Sequence, residues 1–389
     1  MVKYQQLKEV CELKKGKKVA IIKNKTDNSI PYLLIDTLRG IEPEFFTEDK
    51  NYTEAIPSDI LIVGDGANSG LVGTGITGAV GSTIIRIRVR NDLTNKDYIS
   101  YFLLSKFGVL NKDVKGAAIP HLKAKEMLEM NIRIPSLDEQ NQIVDEIEKQ
   151  FTRLDASIKD LRSVKENLKV YRKSFLKAVF EKKKNWNEKK IKDVSELIQY
   201  GTSKRAEITG KIPVLRMGNL QGGKIDFGNL KFYSSLKEIE HLVLKKGDLL
   251  FNRTNSYELV GKTSIFSESD FDNVTFASYL IRVRVNKKEV LPEYLNYFLN
   301  SPYAEILKKD LKSQQVGQAN INGTKLKNIF VPLATIDKQT MIVQEIESQF
   351  SVIDKLEQTI DSALQQTEQL RKSILKNAFE GKLVKEVLV

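Results

Sequence analysis

The chain has 389 residues, and its 62 lysine and arginine residues against 50 aspartate and glutamate residues give a formal net charge of +12. This length suits two or three domains of roughly 100–200 residues, and a content of 41% hydrophobic and 29% charged residues is typical of folded, water-soluble proteins. No apolar run approaches the roughly 18 residues that cross a bilayer, and no signal-peptide pattern is present, so we expect a cytoplasmic protein. One cysteine and two histidines are too few for an internal disulfide or a zinc cage, and they nearly exclude histidine-based catalysis.

Residues 1–136 are predicted to form a first globular segment. Apolar side chains alternate with arginine along Ile84–Arg90, which is the period of a β-strand, and glycine and asparagine turns separate neighbouring runs. A short helix is expected around Tyr98–Lys106. These patterns favour an α+β fold.

Residues 137–184 are predicted to form a long helix. Pro135 lies just ahead of it, and Asp138 is placed to favour the positive N-terminus. Heptad positions d and a are mostly apolar, which predicts a two-helix coiled-coil seam. The d positions are Ile147, Leu154, Leu161, Leu168 and Phe175, and the a positions are Phe151, Ile158, Lys165 and Arg172.

Residues 185–335 are predicted to form a second α+β segment. Leu280–Val285 alternates in the same way as Ile84–Arg90, and a short helix is expected around Pro292–Asn300. In the two globular segments together, lysine and arginine exceed aspartate and glutamate by 11, whereas the helical segments have an excess of one. This distribution of charge favours nucleic-acid binding by the globular segments, although many basic proteins bind no nucleic acid.

Residues 336–389 are predicted to form a second long helix that repeats the first. A shift of 199 superimposes residues 137–181 on 336–380 with 18 of 45 positions identical, and fainter matches relate the two globular segments. One long repeat that occurs twice predicts pseudo-two-fold symmetry within the chain. A helix of 45 residues is roughly 68 Å long, so the pair is expected to set a distance. The alternative is a helix hairpin that only holds the domains together.

Several polar loops are predicted to contact DNA. They combine arginine, lysine, asparagine and small hydroxyl side chains, which pair with base edges and with phosphates. An ordinary polar loop is the alternative at each position. The predicted residues are Lys23, Asn24, Lys25, Asn68 and Ser69 in the first segment, and Tyr200, Thr202, Ser203, Lys204, Arg205, Asn252, Arg253, Asn255, Ser256, Tyr257 and Lys262 in the second.

Three motifs resemble enzyme signatures but lack a required part. The glycine-rich stretch Val63–Gly70 follows a predicted strand, yet the glycines after it make the helix of a cofactor loop improbable. Gly261–Thr263 resembles the end of a phosphate-binding loop, but Ser256 stands where that loop needs glycine. Glu48–Lys50, with Asp36 upstream, fits a solvated loop better than a metal-dependent nuclease site. The sequence therefore predicts binding surfaces without an active site.

The helical segments resemble those of a known family. Leu137–Gln140 leads into the heptads, which end in Lys173–Glu181, and the second copy begins with Ile336–Gln339. Lys246–Leu250 is similar to a target-recognition-domain motif. This order and these motifs resemble the specificity (S) subunits of type I restriction-modification systems.

The resemblance implies a fold and a function. It implies two target-recognition domains, 1–136 and 185–335, joined by two conserved helical regions, 137–184 and 336–389, that form an antiparallel coiled coil. Each domain would read one half of a bipartite, asymmetric site in double-stranded DNA, and the helices would set the gap. Two methyltransferase (M) subunits would dock on the helices and restriction (R) subunits would join them. This chain would carry no cofactor; S-adenosylmethionine, ATP and Mg²⁺ would belong to the partners.

Two other classes of function stay open at this point. A stand-alone restriction nuclease or methyltransferase would show cleavage or methyl transfer by the purified chain. A coiled-coil scaffold would show no retention on DNA at low salt.

Overall fold

The computed structural model describes residues 3–66, 68–107, 122–181, 186–267, 270–315 and 317–383. His121 and the ends of the two predicted helical segments, 182–184 and 384–389, lie outside these ranges. The chain divides into two compact units, a first unit of residues 1–162 and 361–389 and a second unit of residues 163–360. Each unit thus combines one globular segment with part of both long helices. Within the described ranges, no helix is long and apolar enough to cross a membrane.

The first unit mixes short helices and strands with the start of a long helix. Its helices are α1 (Leu7–Val10), α2 (Lys96–Ser105), α3 (Ala124–Leu128) and the long α4 (Leu137–Phe180), which continues into the second unit. Its strands are β1 (Lys3–Gln6), β2 (Cys11–Lys15), β3 (Ile30–Leu33), β4 (Phe46–Thr47), β5 (Glu54–Ala55), β6 (Ile60–Val63), β7 (Val72–Thr74), β8 (Gly78–Val80), β9 (Ile84–Val89) and β10 (Asn131–Ile134).

Two four-stranded sheets form the body of the first unit. The strand order is β2-β9-β6-β7 in one sheet and β4-β3-β8-β5 in the other, while β1 pairs with β10. Strand β6 is apolar and buried along its whole length, as a strand covered on both faces must be. Helix α2 is capped at its N-terminus by Asn95, whose side chain accepts hydrogen bonds from the backbone N–H groups of Asp97 and Tyr98.

The second unit is built from a similar set of elements. Its helices are α5 (Pro292–Leu299), α6 (Pro302–Lys309), α7 (Gly323–Lys327) and the long α8 (Ile336–Phe379), which continues into the first unit. Its strands are β11 (Asn187–Lys190), β12 (Ser195–Tyr200), β13 (Ile212–Leu215), β14 (Leu220–Gln221), β15 (Lys224–Ile225), β16 (Lys231–Tyr233), β17 (Leu249–Asn252), β18 (Thr254–Asn255), β19 (Thr263–Ile265), β20 (Thr275–Phe276), β21 (Leu280–Val285), β22 (Ser313–Gln315), β23 (Gln318–Asn320) and β24 (Phe330–Leu333).

The sheets of the second unit follow the plan of the first with additions. A six-stranded sheet has the order β12-β21-β17-β19-β15-β14, a three-stranded sheet has the order β16-β13-β20, and β11 pairs with β24. A further three-stranded sheet, β18-β23-β22, lies beyond the end of β17. This small sheet carries polar side chains.

A buried glutamine fixes the start of each long helix. Gln140 accepts a hydrogen bond from the backbone N–H of Asn95 (2.8 Å), and its amide nitrogen donates to two backbone carbonyl oxygens. Gln339 likewise accepts from the backbone N–H of Leu291 (2.9 Å) and donates to two carbonyl oxygens. Both side chains are fully buried and therefore need these bonds. They join each long helix to the globular part of its unit.

A buried ion pair occurs in each unit at the end of a turn. Asp59 accepts two hydrogen bonds from Arg88 (2.6 and 2.7 Å), and Asp248 accepts two from Arg284 (2.7 and 2.7 Å). Both carboxylates are about 1% exposed. The hydrogen bonds to the aspartate favour the charged guanidinium and raise the pKa of Arg88 and Arg284.

The arginine face of the alternating strands is covered rather than solvated at its centre. Arg86 on β9 and Arg282 on β21 are both buried. Arg282 donates to the carbonyl oxygens of Val243 (2.9 Å) and His241 (3.0 Å), and burial lowers its pKa. These two arginines are therefore part of the sheet packing and are not available to a ligand.

The long helices contact each other within each unit through an arginine. In each unit, an arginine of one helix forms an ion pair with an aspartate of the other and lies over a phenylalanine ring. The residues are Arg371, Asp155 and Phe151 in the first unit (4.4 Å to the ring centre) and Arg172, Asp354 and Phe350 in the second unit (4.8 Å).

Candidate nucleic-acid interface

The loop after β17 in the second unit is closed at its base by Asn252. Its backbone N–H donates to the carbonyl oxygen of Lys262 (2.8 Å), and its carbonyl oxygen accepts from Gly261 (2.8 Å). The Asn252 side chain is fully buried and its amide nitrogen donates to Leu259 at 3.5 Å. Asn252, a predicted DNA-binding residue, thus points inward and shapes the loop.

Two lysines further along the chain, Lys308 and Lys312, donate hydrogen bonds to the backbone of this loop. Lys308 is fully buried, and its ammonium group donates to the carbonyl oxygens of Gly261 (2.9 Å) and Leu299 (2.7 Å). Burial lowers the pKa of Lys308, although its ion pair with Glu305 opposes that effect. Gly261 has φ +92°, and a Cβ there would lie 2.9 Å from the Lys308 side chain, so this close approach requires glycine.

The second lysine, Lys312, contacts the predicted residue Tyr257. Its ammonium group donates to the Tyr257 carbonyl oxygen (2.7 Å) and lies over the ring at 4.4 Å from its centre. Asn255 and Ser256 are half-buried, and the Asn255 side chain accepts a hydrogen bond from the Ser256 N–H. The loop therefore has a defined backbone that can present side chains without large ordering costs.

Tyr200 and Arg253 lie against each other. The Arg253 guanidinium is 4.9 Å from the centre of the Tyr200 ring, and it also donates to the carbonyl oxygen of Ser278 (3.4 Å). The Tyr200 hydroxyl accepts a hydrogen bond from the backbone N–H of Gly323 (2.6 Å). Two segments that are 53 positions apart in the sequence are thereby brought together, and Arg253 is half-buried.

The loop after β12 presents three exposed predicted residues. Ser203, Lys204 and Arg205 are exposed, whereas Thr202 is half-buried and its hydroxyl accepts from the Lys204 N–H (3.0 Å). The Lys204 ammonium group forms an ion pair with Glu238 (2.8 Å), which lowers the pKa of that carboxyl. Because both partners are solvent-exposed, a phosphate can replace the carboxylate at little cost.

Lys262 is half-buried at the end of the β17 loop, and Thr263 next to it begins strand β19. A phosphate-binding loop would lead into a helix at this point. The resemblance of Gly261–Thr263 to such a loop is therefore one of sequence only.

In the first unit, the predicted residues fall into two groups. Lys23, Asn24 and Lys25 are exposed on the loop before β3. Asn68 is half-buried and accepts a hydrogen bond from Arg39 (2.7 Å), a residue that the loop composition did not indicate.

Ser69 is the second predicted residue that points inward. It is about 1% exposed, and its hydroxyl donates to the carbonyl oxygen of Gly64 (3.3 Å). Like Asn252, it stabilises its loop from inside. Sequence composition predicts such residues as DNA contacts because it does not distinguish polar side chains that point into a loop from those that point to solvent.

Among the residues that the structure describes, no group of three or more histidine, cysteine, aspartate or glutamate side chains could hold a metal ion. Glu48, Asp49 and Lys50 are exposed.

The molecule carries two similar frames with different polar loops. This arrangement is typical of the class of protein that recognises a ligand through two domains. Comparison with known proteins identifies the ligand class. The family model for the type I restriction modification DNA specificity domain matches residues 1–164 and 183–366. The specificity subunit of the type I restriction enzyme MjaVIII from Methanocaldococcus jannaschii is 27% identical, over 95% of this chain and 90% of that protein. The EcoKI specificity subunit from Escherichia coli K12 is 30% identical, over 69% of this chain and 61% of that protein.

Solved structures agree in fold. A chain from a study of complex assembly and conformational transition of the type I R-M system has a TM-score of 0.76 at 16% identity, with 98% of both chains covered. The HsdS subunit from Thermoanaerobacter tengcongensis has a TM-score of 0.56 at 16% identity, covering 98% of this chain and 97% of that one. The chain therefore belongs to the type I restriction modification DNA specificity family, as a specificity subunit, the non-catalytic DNA-recognition component of such a system.

Proposed function

We propose that each unit reads one half of a bipartite, asymmetric site in double-stranded DNA. The observation that carries the proposal is a repeated frame with unlike loops. Gln140 and Gln339 make the same set of hydrogen bonds in the two units, and the Arg88 and Arg284 pairs also correspond. The loops on this frame differ in sequence, with Lys23–Lys25 before β3 in the first unit and Tyr200–Arg205 in the second, so two different half-sites are expected.

We also propose that the long helices form an antiparallel coiled coil with pseudo-two-fold symmetry that sets the gap between half-sites. In the second unit, Arg172 pairs with Asp354, while Phe175, one turn later on α4, contacts Phe350, one turn earlier on α8. This order supports opposite helix directions. The equivalent pair Arg371 and Asp155 lies at a shift of 199, the shift of the sequence repeat. Seam positions Ile147, Phe151 and Leu154 are buried, and Ile158, Leu161 and Leu168 are half-buried, which supports the heptad register predicted for the first long helix.

The partners in this proposal supply the chemistry. Two methyltransferase subunits dock on the helices and restriction subunits join them, and S-adenosylmethionine, ATP and Mg²⁺ belong to those subunits. A location in the cytoplasm follows from the role, because the DNA that is modified lies there. The contact surface is supported by apolar side chains that are exposed on the helices outside the seam, namely Val164, Val170, Tyr171, Val352 and Leu356 in the second unit.

The docking proposal can be tested by co-purification with the methyltransferase subunit of the same system. Leu356→Glu places a charge within the exposed apolar set and should abolish co-purification, because burying an unpaired carboxylate is costly. Ser351→Glu, on the same helix and also exposed, is the control and should leave it intact. Retention of the partner by the Leu356→Glu chain would contradict this docking surface.

The function itself can be tested by mapping methylated bases. Cells that express the chain together with its methyltransferase subunit should carry methylation at one bipartite motif, seen by long-read sequencing of genomic DNA. Cells that express either polypeptide alone should show none of it. Methyl transfer or cleavage by the chain alone would contradict the subunit function and favour a stand-alone enzyme.

A further inference from the structure

The small sheet β18-β23-β22 of the second unit has one polar face that the predicted interface did not include. Thr254 lies opposite Asn320, which in turn lies opposite Ser313 on the next strand. Residues directly opposite each other in an antiparallel sheet point to the same side. Gln318 is two positions from Asn320 and therefore shares that side. We call these four residues the polar face: Thr254, Ser313, Gln318 and Asn320.

The other side of this sheet is anchored in the core. Ala319, between Gln318 and Asn320, is fully buried, as is Ile321 after them. Because alternate residues of a strand point to opposite sides, burial of Ala319 fixes the polar face toward solvent. Gln318 and Ser313 are exposed, and Asn320 is half-buried.

Hydrogen bonds preorganise the polar face. The Asn320 amide nitrogen donates to the Thr254 hydroxyl (2.7 Å), and the Lys325 ammonium group donates to the Ser313 hydroxyl (2.6 Å). The first bond fixes the orientation of the Asn320 amide, and the second places a positive charge beside Ser313. A rigid element of this kind loses little conformational entropy on binding.

The polar face is continuous with the stacked pair Tyr200 and Arg253. The Arg253 carbonyl oxygen accepts from the Ile321 N–H (2.9 Å), directly after β23. Gly323, two residues further, donates to the Tyr200 hydroxyl (2.6 Å). Arg253, whose guanidinium can pair with guanine or phosphate, thus lies beside the amides of Gln318 and Asn320, which can pair with adenine.

We infer that β22 and β23 form a ribbon that enters the DNA major groove and that Gln318 and Asn320 read an A·T base pair there. Strand β18 pairs only with Ala319 and Asn320, so β22 and β23 continue past it as a two-stranded ribbon at Gln318. A two-stranded β-ribbon fits the width of the major groove, and a glutamine or asparagine amide pairs with the N6 and N7 atoms of adenine. The inference rests on the proposed function and assigns the residues that determine the half-site of the second unit. The Thr254 and Ser313 hydroxyls lie on the same face, and we expect them to contact either base edges or the DNA backbone.

The test is selection of bound DNA from a randomised library by the full chain with its methyltransferase subunits. Gln318→Ala and Asn320→Ala should each weaken binding roughly tenfold to a hundredfold and relax one or two adjacent positions in one half-site only. Gln318→Arg should shift the preference at the same position from A·T to G·C, because arginine pairs with guanine O6 and N7. Gln221→Ala removes an exposed amide from β14 in the same unit and is the matched control.

The outcomes separate the two proposals. If the wild-type chain selects no motif, the proposed function fails. If the wild-type chain selects a bipartite motif and all three ribbon variants recover it unchanged at the affinity of the Gln221→Ala control, the ribbon does not read bases and this inference is overturned. Circular dichroism spectra equal to that of the wild type would show that a relaxed motif does not come from unfolding. Relaxation of both half-sites together would also overturn the inference, since the ribbon belongs to one unit.

Discussion

At the scale of single residues, burial decides which polar and reactive groups are available. Cys11 is about 1% exposed, and burial raises the pKa of its thiol to about 12. Asn252 and Ser69 are buried by their own loops, whereas Lys204 and Gln318 face solvent. Residue type alone does not distinguish these cases.

Cys11 should be unreactive in the folded chain. A thiolate is the reactive form, and a pKa of about 12 leaves almost none of it at pH 8. We expect no thiol titration by Ellman's reagent at pH 8 in the native state and one thiol per chain after denaturation, since the sequence has one cysteine. A Lys14→Cys chain, with a cysteine at a neighbouring exposed position, should react at once. Equal rates for Cys11 and this added cysteine would contradict the buried placement.

Arg253 and Lys204 should differ in their effect on DNA binding. If the arginine stacked on Tyr200 reads a base, Arg253→Ala should weaken the free energy of DNA binding by about 1–3 kcal/mol and relax the sequence preference in one half of the motif. Lys204→Ala should weaken binding to all sequences alike and reduce the salt dependence by about one charge, as for a phosphate contact. Binding titrations at several salt concentrations measure both effects. Lys159→Ala removes the same charge from α4 as a control, and unchanged binding in both test variants would exclude these loops.

At the scale of elements, the contacts between the long helices should contribute measurably to stability. Arg172→Met removes the guanidinium group from Phe350 and from Asp354. We expect a loss of about 1–2 kcal/mol, because a cation–π contact and a partly exposed ion pair each contribute up to about 1 kcal/mol. The melting temperature by circular dichroism should fall by a few degrees. Lys173→Met, at the next exposed position, should have the melting temperature of the wild type. The same melting temperature for both variants would contradict the role of Arg172.

The elements that sequence periodicity predicts are those with regular local patterns. Strands β9 and β21 follow the predicted alternation, α4 begins at Leu137 just after Pro135, and α8 begins at Ile336, where the repeat at a shift of 199 places it. The short helices α2 and α5 also lie within two residues of their predicted starts. Local sequence determines these elements because each has a regular apolar side that must be buried.

Contacts between distant residues explain what the sequence did not predict. Lys308 supports Gly261 across 47 positions, and nothing in its local pattern distinguishes it from a surface lysine. The strands β22 and β23 are short and polar, and their shared face becomes visible only from their pairing with β18. In the same way, burial of Arg86 and Arg282 depends on distant segments, whose carbonyl oxygens at Glu54 and Val243 accept their hydrogen bonds, and not on strand alternation.

At the scale of the whole molecule, one chain carries the same frame twice with different loops. The buried glutamines, the buried ion pairs and the arginine contacts of the helices occur in both units. Most of the excess positive charge belongs to the globular segments. We therefore expect the two units to share the attraction to the DNA backbone and to differ in base recognition.

The most direct test of the central claim changes the proposed spacer and leaves both reading units intact. Seven residues that repeat the local heptad are added after Lys165 and after Leu364, which preserves the seam and lengthens each helix by about 10 Å. At about 3.4 Å per base step this corresponds to about three base pairs, with a rotation of roughly a quarter to a third of a turn. Selection from DNA with a randomised gap is the measurement.

We expect the lengthened chain, in complex with its methyltransferase subunits, to recover the same two half-sites with a longer gap, or to lose recognition where the units cannot follow the rotation. The wild-type chain, selected from the same library, should recover one fixed gap. Recovery of the wild-type gap at wild-type affinity by the lengthened chain would contradict the claim that the helices set the distance between two half-sites.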